Sequence, residues 1–123
     1  MCLLANEFEK IAEKDIVCYK ELKYDQVLGI FVTPFQQRWI GRRVLNGRRL
    51  YKARGKEEVK YDCYFQVGGG FVHSYAKLYS CFGSRHVVWE CVIPAGTRYW
   101  VSDDGTEYAS KSLRFVRKMD KFV

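Results

Sequence analysis

Proline is nearly absent from this sequence, with Pro34 and Pro94 the only two. No Ser/Gln-rich or other low-complexity tract appears either, which argues against a linker or a disordered chain. No stretch approaches the roughly 18 unbroken apolar residues that a membrane helix needs. The opening MCLLANEFEK turns acidic before a signal-peptide apolar region can form, so the chain reads as unprocessed, with no membrane partner. There are two histidines and no Cys-x-x-C pair, so neither a metal site nor a cofactor is expected. The five cysteines, Cys2, Cys18, Cys63, Cys81 and Cys91, are odd in number and widely spaced. That pattern fits free, buried thiols in a reducing cytoplasm better than a disulfide scaffold. G-x-S-x-G, Gly-Lys-Ser/Thr and G-x-G-x-x-G are all missing, which removes the common hydrolase, P-loop and dinucleotide signatures.

What is present is apolar and aromatic. Hydrophobic residues make up 48% and aromatics 16% of 123 residues, enough for one core in a single domain spanning 1–123. Leu4, Phe8, Ile11 and Ala12 have helix-like spacing and suggest a short N-terminal helix, with a packed loop as the alternative. From Asp15 the pattern turns to β. DIVCYKEL and VLGIFVTPF are short and rich in β-branched and aromatic residues, and Gly29 suggests a bulge or bend. QRWIGRRVL and RRLYKA flank Asn46-Gly47, the strongest short hairpin signal, so a β-hairpin is expected over about 37–54. Val59, Tyr61, Cys63, Phe65 and Val67 alternate as one half-buried strand. SYAKLYSCF suggests two helical turns capped by Ser74. VVWECVI, RYWV, EYAS and SLRFV read as strands separated by the turns PAGT and SDDGT, and a frayed tail is expected from about 117 to 123. The spacing is too tight for βαβ crossovers. The expected class is α+β, mainly antiparallel, as a strongly bent sheet or small barrel with one or two short helices.

Charge is concentrated. Nine of the 21 basic residues fall in 38–60, namely Arg38, Arg42, Arg43, Arg48, Arg49, Lys52, Arg54, Lys56 and Lys60, against only Glu57 and Glu58. The segment therefore holds the whole +7 excess of the chain. Adjacent arginines on strands would occupy opposite faces. A hairpin charged on both faces projects or forms an edge, where Lys and Arg also block strand aggregation. Six of these nine cations are Arg, whose planar fork suits phosphate and stacks on bases. Trp39 and Tyr51 supply flat surfaces between them. This points to an anion site built from Arg42, Arg43, Arg48, Arg49 and Arg54 with Trp39 and Tyr51 as stacking residues.

Other positions are weaker. Gly68-Gly69-Gly70 before Ser74 has the outline of a phosphate loop but reads mainly as a turn. His73 is a candidate base or ligand donor, and His86 reads as a surface residue. Glu90 lies in an apolar strand, where a carboxylate must be shifted in pKa or paired with an Arg. Asp103-Asp104-Gly105 reads as a turn.

Two resemblances attach to particular stretches. IAEKDIVCYK, FVHSY and CVIPAGTRYW with EYAS resemble small uncharacterised single-domain proteins of Bacteroides-type bacteria and their phages. That likeness implies a compact domain and, for a viral origin, a host-takeover or anti-defence role. VWECVIPAGTRYWV resembles the C-terminal strand and turn of ADP-ribosyltransferases, with VCYKEL in the place of an early Arg-bearing strand and HSY between them. Cys91 stands where that family has its Glu, with Glu90 one place earlier, and Lys20 stands for the Arg. A one-residue slip turns a side chain to the opposite face, so this resemblance implies a shared fold with degenerate catalysis.

The leading expectation is a non-enzymatic binding protein for a nucleotide, a signalling nucleotide or single-stranded nucleic acid. One alternative is an ADP-ribosyltransferase-like enzyme using Glu90, His73 and Tyr19. Another is an inhibitor whose basic hairpin docks an acidic host protein. A homo-oligomer is compatible with each.

Overall fold

The computed structural model describes residues 3–34, 38–53, 58–61, 64–68, 70–77 and 86–119. In chain order the elements are β1 (Leu3–Ala5), β2 (Lys10–Ile11), β3 (Ile16–Asp25), β4 (Ile30–Val32), β5 (Trp39–Ile40), helix α1 (Arg42–Leu45), β6 (Tyr51–Lys52) and β7 (Glu58–Tyr61). They continue with β8 (Tyr64–Val67), β9 (Val72–Tyr75), β10 (His86–Ile93), β11 (Arg98–Val101), β12 (Glu107–Ser110) and β13 (Ser112–Lys118). A small sheet runs β1-β8-β7, and a large one runs β2-β11-β12-β9-β3-β10-β13-β6 with β4 and β5 branching from β3. The recorded pairings are all antiparallel. The expected antiparallel character is therefore present. With one four-residue helix among the described residues, and sheets that do not close into a barrel, the architecture is mainly β.

The ten-residue β3 organises the large sheet. One edge pairs with β10 along its first eight residues, Ile16 to Lys23. The other edge is shared, with Tyr19 bridging to Tyr75 of β9 and Lys23–Asp25 pairing with β4. The sheet splits there. Directly opposed residues in an antiparallel pair share a face, so Cys18, Leu22, Cys91 and Ile93 all enter one core. That core also holds Trp89, Leu113 and Phe115. Phe115 is 1% exposed and meets Trp89 and Tyr51 edge-on at 5.8 and 6.4 Å between centroids. A second cluster lies on the opposite face, where Trp100 and Ala109 are covered by Leu3, Ala5 and Val67 from the small sheet. Each fully buried Leu, Ile or Phe contributes about 1.5–3 kcal/mol over the exposed state.

Several expectations are corrected. The N-terminal helix is absent. Leu3 and Ala5 alternate inward on β1, while Leu4, Phe8 and Ile11 of the supposed apolar face are 51%, 73% and 66% exposed. Residues 58–67 form two strands, with Tyr61 opposed to Tyr64 and a connection at 62–63 that lies outside the described residues. Ser74 caps no helix. It is buried inside β9, and 78–82 of the expected helical stretch lie outside the described residues. Arg117 and Lys118 belong to β13, opposed to Glu90 and Trp89, so the frayed tail does not begin at 117; residues 120–123 lie outside the description.

The hairpin over 37–54 is the correction that matters most for function. Asn46-Gly47 ends the helical turn α1 instead of joining two strands. Val44 and Leu45 are the reason. Both are half-buried against the main core. Neighbours in a strand point to opposite faces, whereas neighbours on a helix lie about 100° apart and can both reach one core. Gly47 has φ +78, and its N–H donates to the Val44 carbonyl at 3.1 Å, the bond made when a helix stops on a left-handed glycine.

Candidate functional site

The basic segment is a helical turn and its exit. The Asn46 N–H donates to the Arg42 carbonyl at 3.0 Å and the Arg49 N–H to the Arg43 carbonyl at 3.0 Å. The Arg48 N–H donates to Asn46 Oδ1 at 3.1 Å. These bonds hold Arg42, Arg43, Arg48 and Arg49 within one compact backbone unit, and all four are exposed. None forms an ion pair with a carboxylate among the described residues. The unit packs against β13, and a Cβ on Gly47 would stand 3.1 Å from the Phe115 carbonyl oxygen. β6 covers the outer edge of β13 only at Ser112 and Leu113, and this unit covers the next stretch. Arg114, Arg117 and Lys118 on β13 are also exposed.

The remaining members of the expected anion site divide. Trp39 is 70% exposed on β5. Tyr51 is half-buried, with the Arg38 guanidinium 5.4 Å from its ring centroid and Phe115 against its edge, so it braces the segment and is not an open stacking surface. Arg54 and Lys56 lie outside the described residues.

Tyr19, Glu90 and His73 share the large-sheet face opposite the main core. Glu90 is opposed to Tyr19, and Tyr19 to Tyr75, two residues along β9 from His73. Arg117 Nε donates to Glu90 Oε2 at 3.3 Å. His73 Nε2 lies 2.8 Å from the Gly68 carbonyl oxygen. Burial pushes the His73 pKa down, the Gly68 carbonyl opposes this, and the nearby Lys20 charge lowers it further. Cys91 points into the main core, as the one-residue offset from Glu90 requires. Lys20 donates from Nζ to the His73 carbonyl at 2.7 Å.

No protein-family model matches this chain, and neither the curated proteins nor the solved structures hold a significant match. Function must therefore be argued from the side chains.

Gly69 lies outside the described residues; Gly70 is followed by strand β9, not a helix, so no helix terminus is offered to a phosphate there. Asp104 is occupied inside its own turn. Its Oδ1 accepts from Ser102 Oγ at 2.7 Å, Thr106 Oγ1 at 2.7 Å and the Thr106 N–H at 3.0 Å. Those bonds hold its carboxyl down at about 2. No group of three or more His, Cys, Asp and Glu among the described residues is arranged to hold a metal ion. No helix among them is long and apolar enough to cross a membrane. Sequence reasoning missed Tyr75, Arg114 and Arg117. Only the strand of Arg114 was legible; Tyr75 fell in an expected helix and Arg117 in an expected frayed tail, and the neighbours of all three depend on register between distant segments.

Proposed function

We propose that the chain is a non-enzymatic binding protein for a phosphate-bearing ligand, held by Arg42, Arg43, Arg48 and Arg49. One observation carries this reading: four exposed arginines issue from one turn of helix and its exit, with no described carboxylate to neutralise them. Arginine forks bind phosphate oxygens in pairs. Trp39, two residues before Gly41, offers a flat surface for a base. The reading places the protein in the cytoplasm, where the opposed thiols of Cys18 and Cys91 stay reduced.

The test is fluorescence anisotropy of a labelled 12-residue thymidine strand over a salt series, with the wild type and an Arg42→Gln, Arg43→Gln, Arg48→Gln, Arg49→Gln variant. The variant should fold normally, because these side chains are exposed. Its log–log salt slope should fall by about 0.7 for each phosphate contact removed from a single strand. Unchanged affinity and slope would refute the reading, and loss of folding would show the arginines to be structural.

The opposition of Tyr19 to Glu90, both half-buried on the sheet face opposite the main core, is what favours the ADP-ribosyltransferase-like alternative. Nicotinamide release from NAD that is abolished by Glu90→Gln would establish that alternative instead.

A further inference from the structure

The large sheet carries a continuous row of polar and aromatic residues across five neighbouring strands. Glu107 on β12 is opposed to Tyr75 on β9, Tyr75 to Tyr19 on β3, Tyr19 to Glu90 on β10, and Glu90 to Arg117 on β13. Directly opposed residues share a face, so the row lies opposite the main core and crosses about 19 Å at the usual strand spacing. Among the described residues the small sheet covers this face over Trp100 and Ala109. The His73 contact with Gly68 lies between the two regions. Elsewhere on this face Val17, two residues from Tyr19, is 52% exposed and Arg114 and Arg117 are exposed, while Tyr19, Tyr75 and Glu90 are half-buried and Glu21 is buried.

Resting on the phosphate-binding reading, we infer that this sheet face is a base-binding platform and that the ligand is single-stranded nucleic acid. The strand's phosphates lie on the arginines at the β13 edge, and a base stacks on Tyr19. Three features support this. First, the arginine unit abuts β13 at Phe115, and Arg117 of the same strand ends the row, so cationic edge and aromatic platform are continuous. A backbone on the edge can then send its bases inward over the sheet. Second, aromatic rings on adjacent strands of an antiparallel sheet suit unstacked bases, and such stacking tolerates any base. Tyr75 beside Tyr19 widens the aromatic area. Third, Glu90 adjoins Tyr19 and is held by Arg117. An ionised carboxylate only accepts hydrogen bonds. It therefore favours a stacked base that presents two donors, as the Watson–Crick edge of guanine does, over thymine or uracil.

The experiment uses the whole chain and three labelled 12-residue DNA strands at low salt: all-thymidine, alternating thymidine–guanosine, and an abasic sugar–phosphate strand. The abasic strand should bind roughly tenfold more weakly than the thymidine strand, the loss expected from one stacked base. The guanosine strand should bind tighter than the thymidine strand, and Glu90→Gln should erase that gain. Tyr19→Leu should reduce thymidine binding to the abasic level, and Tyr19→Trp should retain it. Matched RNA strands, uridine and uridine–guanosine, identify which nucleic acid the platform prefers through tighter binding of either set. Equal binding of abasic and base-bearing strands by the wild type would overturn the platform while leaving the arginine reading intact. Failure of every strand to bind would overturn both. The abasic comparison needs no variant, so it decides the matter even if a tyrosine substitution unfolds the protein.

Discussion

Replacing Gly47 with Ala separates the helix stop from the hairpin that the sequence suggests. Gly47 sits at φ +78, and a methyl group there would meet the Phe115 carbonyl oxygen at 3.1 Å. A left-handed conformation costs an L-residue roughly 1–2 kcal/mol. The tight contact with β13 adds to this, and the lower unfolded-state entropy of Ala returns about 0.4–1 kcal/mol. The net loss should be about 1 kcal/mol, or roughly 4 °C in Tm for a chain of this size. Asn46→Ala is the informative partner. Asn46 has φ −89 and ψ 8, which Ala adopts without strain, so the variant loses only the exposed bond from the Arg48 N–H to Asn46 Oδ1. Its cost should be about 0.5 kcal/mol. A type I′ hairpin requires positive φ at both positions, and the two variants would then cost similar amounts. Urea denaturation of both resolves this. Equal losses, or a Gly47→Ala variant as stable as the wild type, would refute the assignment of 42–47 as a helical turn stopped by a glycine.

Phe115→Ala should cost about 3–5 kcal/mol by urea denaturation, because it removes the ring between Trp89 and Tyr51 at a fully buried site; a loss under 1 kcal/mol would contradict that packing. Cys18 and Cys91 should resist thiol reagents at pH 8 until the protein unfolds. Burial pushes the Cys18 thiol up to about 11, and both residues are fully enclosed. Rapid labelling of either in folded protein would show the core to be open. His73 is held below its usual pKa by burial, so the unfolded chain takes up its proton first on acidification. Stability should therefore fall as pH drops from 7.5 through 6.5 toward the folded value. His73→Gln should flatten that part of the Tm–pH curve, and an unchanged slope would remove the assignment.

The sequence by itself determined the strand-rich class and several elements. Alternating and apolar runs such as IVCYKEL, VVWECVI and SLRFV carry their period whatever surrounds them, and the turns at 94–97 and 103–106 carry their own Gly, Pro and Asp chemistry. It also determined the local excess of positive charge, since composition does not depend on folding. Asn46-Gly47 was legible as a chain reversal but not as its kind, because a glycine at positive φ serves a hairpin and a helix stop equally well. The packing of Val44 and Leu45 against the main core decided between them. Tertiary structure alone assembled the row from Glu107 to Arg117. Its five members come from strands up to nearly a hundred residues apart in the chain, and register fixes which of them meet. A shift of one residue in any pairing would turn Tyr19 or Glu90 toward the opposite face. What holds the register is the burial of Cys18, Leu22, Cys91 and Phe115 on the other side of the same strands.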